Sequence, residues 1–335
     1  MNAAANATST PSAGPTPHLP HERLAHTPVA LFATVMGMAG LTIAWTKAHH
    51  TVGAPLEVAL VLRWLASGLY LFLLVLYGAK WLRHPQAVKA DWGHPVRINF
   101  FPAISIGLLL LSIAWAPDAP GAAFWMWAIA SALHLSFTLV VMGRWIHHTH
   151  YTIQHANPAW FIPVVGNILV PIAGVRFAPV DISWFFFSVG LVFWLVLMTI
   201  VLYRLFFHEP LPLRLMPTLF ILIAPPSVGF LAYVGLNDQL DGFARMLYFT
   251  GLFLTLLLAS QAVRFLRLPF FISAWSYSFP MAAMTIATFE MGARSGQAFY
   301  TGLGWLLIAV LSALVALLSA KTLAAATQGK VCVPE

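Results

Sequence analysis

Two groups of histidines have the spacing for metal binding: His147, His148 and His150, and the pair His49 and His50. No Glu or Cys lies near either group to complete a ligand set, so both read as solvated polar loops. The single cysteine, Cys332, excludes an intrachain disulfide and most thiolate metal sites. Imidazoles titrate near neutrality, but nothing selects one of the thirteen as a pH sensor. Glu57 and Arg63 are six residues apart, whereas helical neighbours are three or four apart, so they do not pair. Arg63 reads as a snorkelling residue or a partner for another helix, with anion ligation as the sharper alternative. His134 reads as an interhelical hydrogen-bonding residue rather than a proton carrier. There is no phosphate-cradling glycine loop, catalytic carboxylate pair or nucleophile elbow, and Gly292-Ala293-Arg294-Ser295-Gly296 reads as a turn. The sequence predicts no enzyme, cofactor or metal site. Phe279 is different. A phenylalanine in an apolar segment is more often packed or lipid-facing. This one precedes the helix-kinking Pro280 and lies among Ser276, Ser278 and Thr285, where an inward ring would bar a narrow ion path by sterics and dewetting.

These residues sit in a chain that is 60% hydrophobic and only 8% charged, with a mean hydropathy of +0.83. Soluble domains carry about a quarter charged residues, so lipid is the main solvent here. Apolar runs of about 20 residues predict ten spans, at 28–47, 55–77, 98–116, 122–146, 158–177, 182–207, 213–236, 243–263, 270–291 and 298–320. Short connections make neighbouring spans antiparallel hairpins. The predicted architecture is an all-α integral membrane protein with one domain over 28–320. A disordered tail over 1–27, without a signal-peptide pattern, precedes it, and a short tail over 321–335 follows. Of seventeen lysines and arginines, twelve fall on the side holding both termini, four on the other, and Arg63 within a span. The positive-inside rule then predicts a multi-pass cell-membrane protein with both termini cytoplasmic. The net charge of +7 is read as bilayer sidedness, not nucleic-acid binding.

Internal prolines fall almost entirely in the odd spans: Pro102 in the third, Pro163 and Pro171 in the fifth, Pro217, Pro225 and Pro226 in the seventh, Pro280 in the ninth. The first span carries Gly37 and Gly40 instead. Proline kinks a helix and frees a carbonyl, which hydrocarbon tolerates only against protein or a water-filled cavity. The alternative is that these prolines only shape packing. The alternation as a whole predicts that odd spans face inward around a pore or transport path, while even spans face lipid. The odd spans also carry Thr34, Thr42, Ser105, Ser112, Asn167, Ser227, Ser276, Ser278, Thr285 and Thr288, expected to offer hydroxyls and an amide to the path. Their near lack of charge argues against proton pumping through carboxylates. Basic residues on the cytoplasmic side would concentrate anions at one mouth.

Three stretches carry a resemblance: residues 94–101 (HPVRINFF), 157–167 (NPAWFIPVVGN) and 274–281 (AWSYSFPM). In the third, fifth and ninth spans, in that order, they resemble the tellurite-resistance/dicarboxylate transporter family. These TehA-like proteins include the plant slow-type (SLAC) anion channels. The similarity runs from about residue 28 to 320. It implies ten helices as five hairpins in quasi-fivefold symmetry, with the odd helices forming a central pore. It also implies a homotrimer with one pore per protomer. A ninth-helix phenylalanine plugs the family's pore, which Phe279 matches. A third-helix aromatic narrows it, matched by Phe100 or Phe101, with nothing to say which faces inward. Family cargoes are small inorganic anions such as chloride and nitrate, or dicarboxylates such as malate in some fungal transporters. The expected function is a passive anion channel or channel-like uniporter. The alternative is a proton-coupled dicarboxylate carrier, or an oxyanion or tellurite carrier or exporter. A carboxylate carrier should show a buried Arg or Lys in the inner spans, and none is present. About 27 residues precede the first span, so the long tails through which plant channels are phosphorylated are expected to be missing.

Overall fold

The computed structural model describes residues 20–147 and 151–332. The N-terminal tail up to residue 19, and His148 and His150 of the histidine group, lie outside the described residues. Those described are helical, without a strand. The long helices are α1 Val29–Val52, α2 Leu56–Arg83, α3 Arg97–Trp115, α4 Pro120–His147, α5 Pro158–Phe177, α6 Val180–Phe207, α7 Met216–Asn237, α8 Gly242–Ala259, α9 Ser278–Ser295 and α10 Ala298–Thr327. Nine of them, all but α9, are long and apolar enough to cross a bilayer. Helix α9 holds Glu290 and Arg294 as well as several hydroxyls. It tolerates them because every residue from 278 to 289 is buried, so protein rather than lipid surrounds most of it.

Burial alternates along the chain. In the most apolar stretch of α1, α3, α5 and α7, 67–89% of residues are buried in protein. In α2, α4, α6, α8 and α10 the figure is only 28–39%, and Trp64, Phe72, Leu82, Phe206 and Phe207 stand exposed as lipid-facing groups do. The backbone repeats this division. Each inner helix begins in, or follows directly on, a 3-10 segment: Val29–Leu31, Arg97–Phe100, Pro158–Trp160, Met216–Ile223 and Ile272–Tyr277. Helix α5 has a second one, Gly166–Leu169. Most prolines of the odd spans stand at the changeovers. Pro102 lies just ahead of Ala103–Trp115, Pro171 opens the stretch Val170–Phe177, Pro225 and Pro226 open Ala224–Asn237, and Pro280 is in the first turn of α9. A first turn needs no proline N–H, so these residues launch α-helical segments rather than interrupt them.

Each inner helix packs on the outer helix that follows it, and the inner helices touch in turn: α1 on α3, α3 on α5, α5 on α7, α7 on α9, α9 on α1. The α9–α1 contact depends on glycine. A Cβ on Gly37 would lie 2.2 Å from Ser278 Oγ and 2.9 Å from the Trp275 ring, and one on Gly40 2.8 Å from Ala282 Cβ. Gly37→Ala is therefore expected to wedge α1 from α9 at a cost of about 1–3 kcal/mol, the usual penalty of overpacking. A thermal melt followed by size-exclusion chromatography checks this; an unchanged midpoint would show that the pair can yield. Polar ties are few. Arg63, buried in α2, pairs with Asp118 beyond α3 and lies 4.1 Å over the Trp115 ring. Its partner is thus another helix's end, as one of the sequence readings has it.

Candidate functional site

Three cavities succeed one another along the inner helices, and the register of their lining residues fixes the order. On α9 and the turn before it, Ile272 and Ser273 line the first, Trp275, Ser276, Phe279 and Pro280 the second, and Phe279, Ala283, Ile286, Glu290 and Arg294 the third. On α3 the same series runs Arg97 and Phe100, then Phe100, Ala103 and Ile106, then Leu110, Ile113 and Ala114. Helices α1 and α7 follow suit, so the inner helices share one direction, N-termini toward the first cavity.

The first cavity is wide, about 960 Å³, and among the described residues it is rimmed by Lys80, Arg97, Arg214, Lys321 and Lys330 with a single carboxylate, Asp91. The third is about 280 Å³ and ends at Lys47, Glu290 and Arg294. The second, between them, is about 60 Å³, room for a few waters. Among the described residues no titratable side chain lines it, and Ser276 alone brings a hydroxyl. Phe100 borders both the first and second cavities. Phe279, Leu169 and Val228 border both the second and third. The column is thus interrupted by aromatic and aliphatic groups at two levels, where water is held weakly.

Phe101 is placed differently from Phe100. It packs edge-on to Trp92, 4.7 Å between ring centroids, and to Tyr77 at 6.0 Å, and it lines none of the three cavities. Of the other residues singled out in the sequence, Pro225, Ser276 and Pro280 line the central cavity. Gly37, Gly40 and Ser278 lie in the α1–α9 contact, with the Phe279 ring 3.4 Å from where a Gly40 Cβ would stand. Pro102, Pro163, Pro171 and Pro226 are buried away from the cavities. Asn167 is fully buried, and its amide donates to Thr138 Oγ1 (2.8 Å) and Val164 O (2.7 Å).

Of the hydroxyls expected to line the path, Ser276 lines the central cavity and the other eight border none of the three cavities. Thr34, Thr42, Ser105, Ser112, Ser227, Ser278, Thr285 and Thr288 each donate to a carbonyl three or four residues back in their own helix. That local bond is always within reach of a helical Ser or Thr. His134 is an interhelical residue: its Nδ1 lies 2.9 Å from Ser105 Oγ, and its ring sits behind Gly166, a wall residue of the central cavity.

At the wide mouth, Lys80 Nζ donates to Asp91 Oδ2 (2.5 Å) and to Thr27 O (2.8 Å), and Arg97 Nη1 donates to Asp91 Oδ1 (3.0 Å). The pair Lys80 and Asp91 is buried, with side chains 2% and 8% exposed. Sequence reading did not single out either residue. They come from a helix end and the short helix Pro85–Gly93, and only folding puts them side by side.

The inner helices of this helical membrane protein thus border two charged cavities and a narrow apolar one between them. The chain belongs to the SLAC1 family of voltage-dependent anion channels, whose sequence profile matches residues 26–323. It is 30% identical over 274 residues to the S-type anion channel SLAH3 of Arabidopsis thaliana, covering 78% of this chain and 42% of that one. An uncharacterized transporter of Methanocaldococcus jannaschii is 27% identical over 285 residues, 77% of this chain and 82% of that one. The tellurite resistance protein TehA homolog of Haemophilus influenzae is 25% identical over 280 residues, 82% of each. The chain spans about half the length of the Arabidopsis channels SLAH3 and SLAH2, 42% and 52%.

Proposed function

We propose that this protein is a passive anion channel or channel-like uniporter that conducts small monovalent anions such as chloride and nitrate. The route runs through α1, α3, α5, α7 and α9, with α9 as a tenth span. Phe279 is the gate, and Phe100 a second constriction. One observation carries this reading: among the described residues, a mouth with five cations and one carboxylate adjoins a waist lined by no charged side chain. Fixed cations raise the local anion concentration, and an uncharged waist does not trap what enters. A dicarboxylate carrier would need a fixed cation at its central site, and the central cavity has none. By the positive-inside rule the wide mouth and both termini are cytoplasmic. The sequence resemblance adds a homotrimer with one pathway per protomer.

The test is the reversal potential of the purified protein in planar bilayers under a tenfold potassium chloride gradient. The expected value is that of chloride, about 59 mV in magnitude for a monovalent ion, and nitrate should substitute for chloride. Reversal at the potassium value overturns the proposal. Saturable malate flux that requires a proton gradient would make the protein a carrier instead.

A further inference from the structure

Beyond Phe279 the third cavity ends in charges that an uncharged waist does not call for. Lys47, from the C-terminal half of α1, and Glu290 and Arg294, from the last turns of α9, all line it. Glu290 meets a different cation on each oxygen: Lys47 Nζ donates to Oε2, and Arg294 Nε to Oε1. The Glu290 side chain is 14% exposed, less than Lys47 at 26% or Arg294 at 22%. Arg294 also reaches Asp238 at 3.1 Å, but that carboxylate is 93% exposed, where water and salt screen it. Among the described residues no other carboxylate lines the cavity.

We infer that Glu290 is a tethered anion that occupies the cation pair an incoming anion would use, and so sets how readily this mouth fills. The inference rests on the anion-channel reading above. A carboxylate and a chloride or nitrate ion are alternatives for the same two donors. Because Glu290 is fixed to α9, it is always present, and a free anion must displace it or share Lys47 and Arg294 with it. The three groups together carry one net positive charge, enough to attract an anion without holding it. Loss of the carboxylate would leave two cations at the entrance. One added unit charge about 6 Å from the ion, in surroundings close to water, raises local anion occupancy about threefold. The half-saturating chloride concentration should fall by the same factor. The maximal current should also fall, because the bound ion leaves more slowly. Loss of a cation should do the opposite to the half-saturating concentration.

A purely structural clamp between α1 and α9 predicts something else. In that case Glu290→Gln and Lys47→Gln both loosen the same contact and change conduction in the same direction, or leave it alone. The experiment is single-channel current against chloride concentration, with chloride varied on the Lys47 side, for the full-length parent, Glu290→Gln, Glu290→Asp and Lys47→Gln. The expected result is half-saturation lowered about threefold in Glu290→Gln, raised about threefold in Lys47→Gln and close to the parent in Glu290→Asp. If Glu290→Gln does not fold, Lys47→Gln carries the test, and no rise in half-saturation overturns the inference. Shifts of the same sign in Glu290→Gln and Lys47→Gln also overturn it. If the parent conducts chloride and neither variant shifts, this inference alone falls. If neither the parent nor Phe279→Ala conducts chloride, the channel reading falls and takes the inference with it.

Discussion

Phe279→Ala is expected to raise chloride conductance roughly ten- to a hundredfold over the parent, with the reversal potential unchanged. The ring borders both the central and the third cavity, so truncation joins two spaces of about 60 and 280 Å³. An anion crossing the closed waist gives up hydration that no side chain there replaces. Regaining one hydrogen bond to a charged species is worth about 1.5–3 kcal/mol, and each ~1.4 kcal/mol is a factor of ten in rate. Leu169 and Val228 remain at the same level, so the gain stays short of an open hole. Phe100→Ala should give a smaller gain, because its ring borders a wide, charge-lined mouth of about 960 Å³. Phe101→Ala should leave conductance alone and lower stability, since that ring contacts Trp92 and Tyr77 instead. Truncating a buried phenylalanine usually costs about 3–5 kcal/mol. Phe279 should lie at the low end, because cavities adjoin it on two sides and it loses fewer contacts. Currents of the three variants, each first shown monodisperse by size-exclusion chromatography, separate these outcomes. Equal conductance in Phe279→Ala and the parent would remove Phe279 as the gate.

Much of this arrangement was legible in the sequence for one physical reason: lipid tolerates irregular backbone only where protein shields it. Prolines therefore marked four of the five helices that are mostly buried, α3, α5, α7 and α9, while α1 carries glycines instead. What the sequence left open follows from buried helices having no outward face. In α9 every residue from 278 to 289 is buried, so polarity does not show which side meets the path. Phe100 and Phe101 are adjacent and equally apolar, and only packing separates them. The hydroxyls misled for the opposite reason: a helical Ser or Thr bonds its own backbone whichever way it points. Spacing held one unused signal. Phe279, Ala283, Ile286 and Glu290 recur at three and four residues, a single helical face. That face lines the third cavity. Pairs such as Lys47 with Glu290, 243 residues apart, have no local signature.

Asp91→Ala is expected to destabilise the protein by about 3–5 kcal/mol, the cost of leaving a buried charge without its partner. Water in the adjoining cavity should hold the loss toward the lower figure. Asp91 gathers Lys80, Arg97 and the Tyr77 hydroxyl, and Lys80 also grips Thr27 O just ahead of α1. The cluster thereby fixes the end of α2, the helix Pro85–Gly93 and the entry into α3 around the wide mouth. Its two sides are not equivalent. Removing Asp91 leaves the buried Lys80 ammonium without its carboxylate, whereas Lys80→Met leaves Asp91 with Arg97 and Tyr77. The lysine variant should therefore lose less, about 1.5–3 kcal/mol, the scale of a hydrogen bond to a charged group. Conduction should move the other way. Among the described residues Asp91 is the one carboxylate beside the mouth's cations, so folded Asp91→Ala protein should pass more current at low chloride, while Lys80→Met passes less. Thermal melts of both variants beside their currents at low chloride distinguish the two roles. Equal and small losses of stability would mean that the cluster is hydrated. A fall in low-chloride current for Asp91→Ala would mean that the mouth's shape, rather than its charge, governs anion entry.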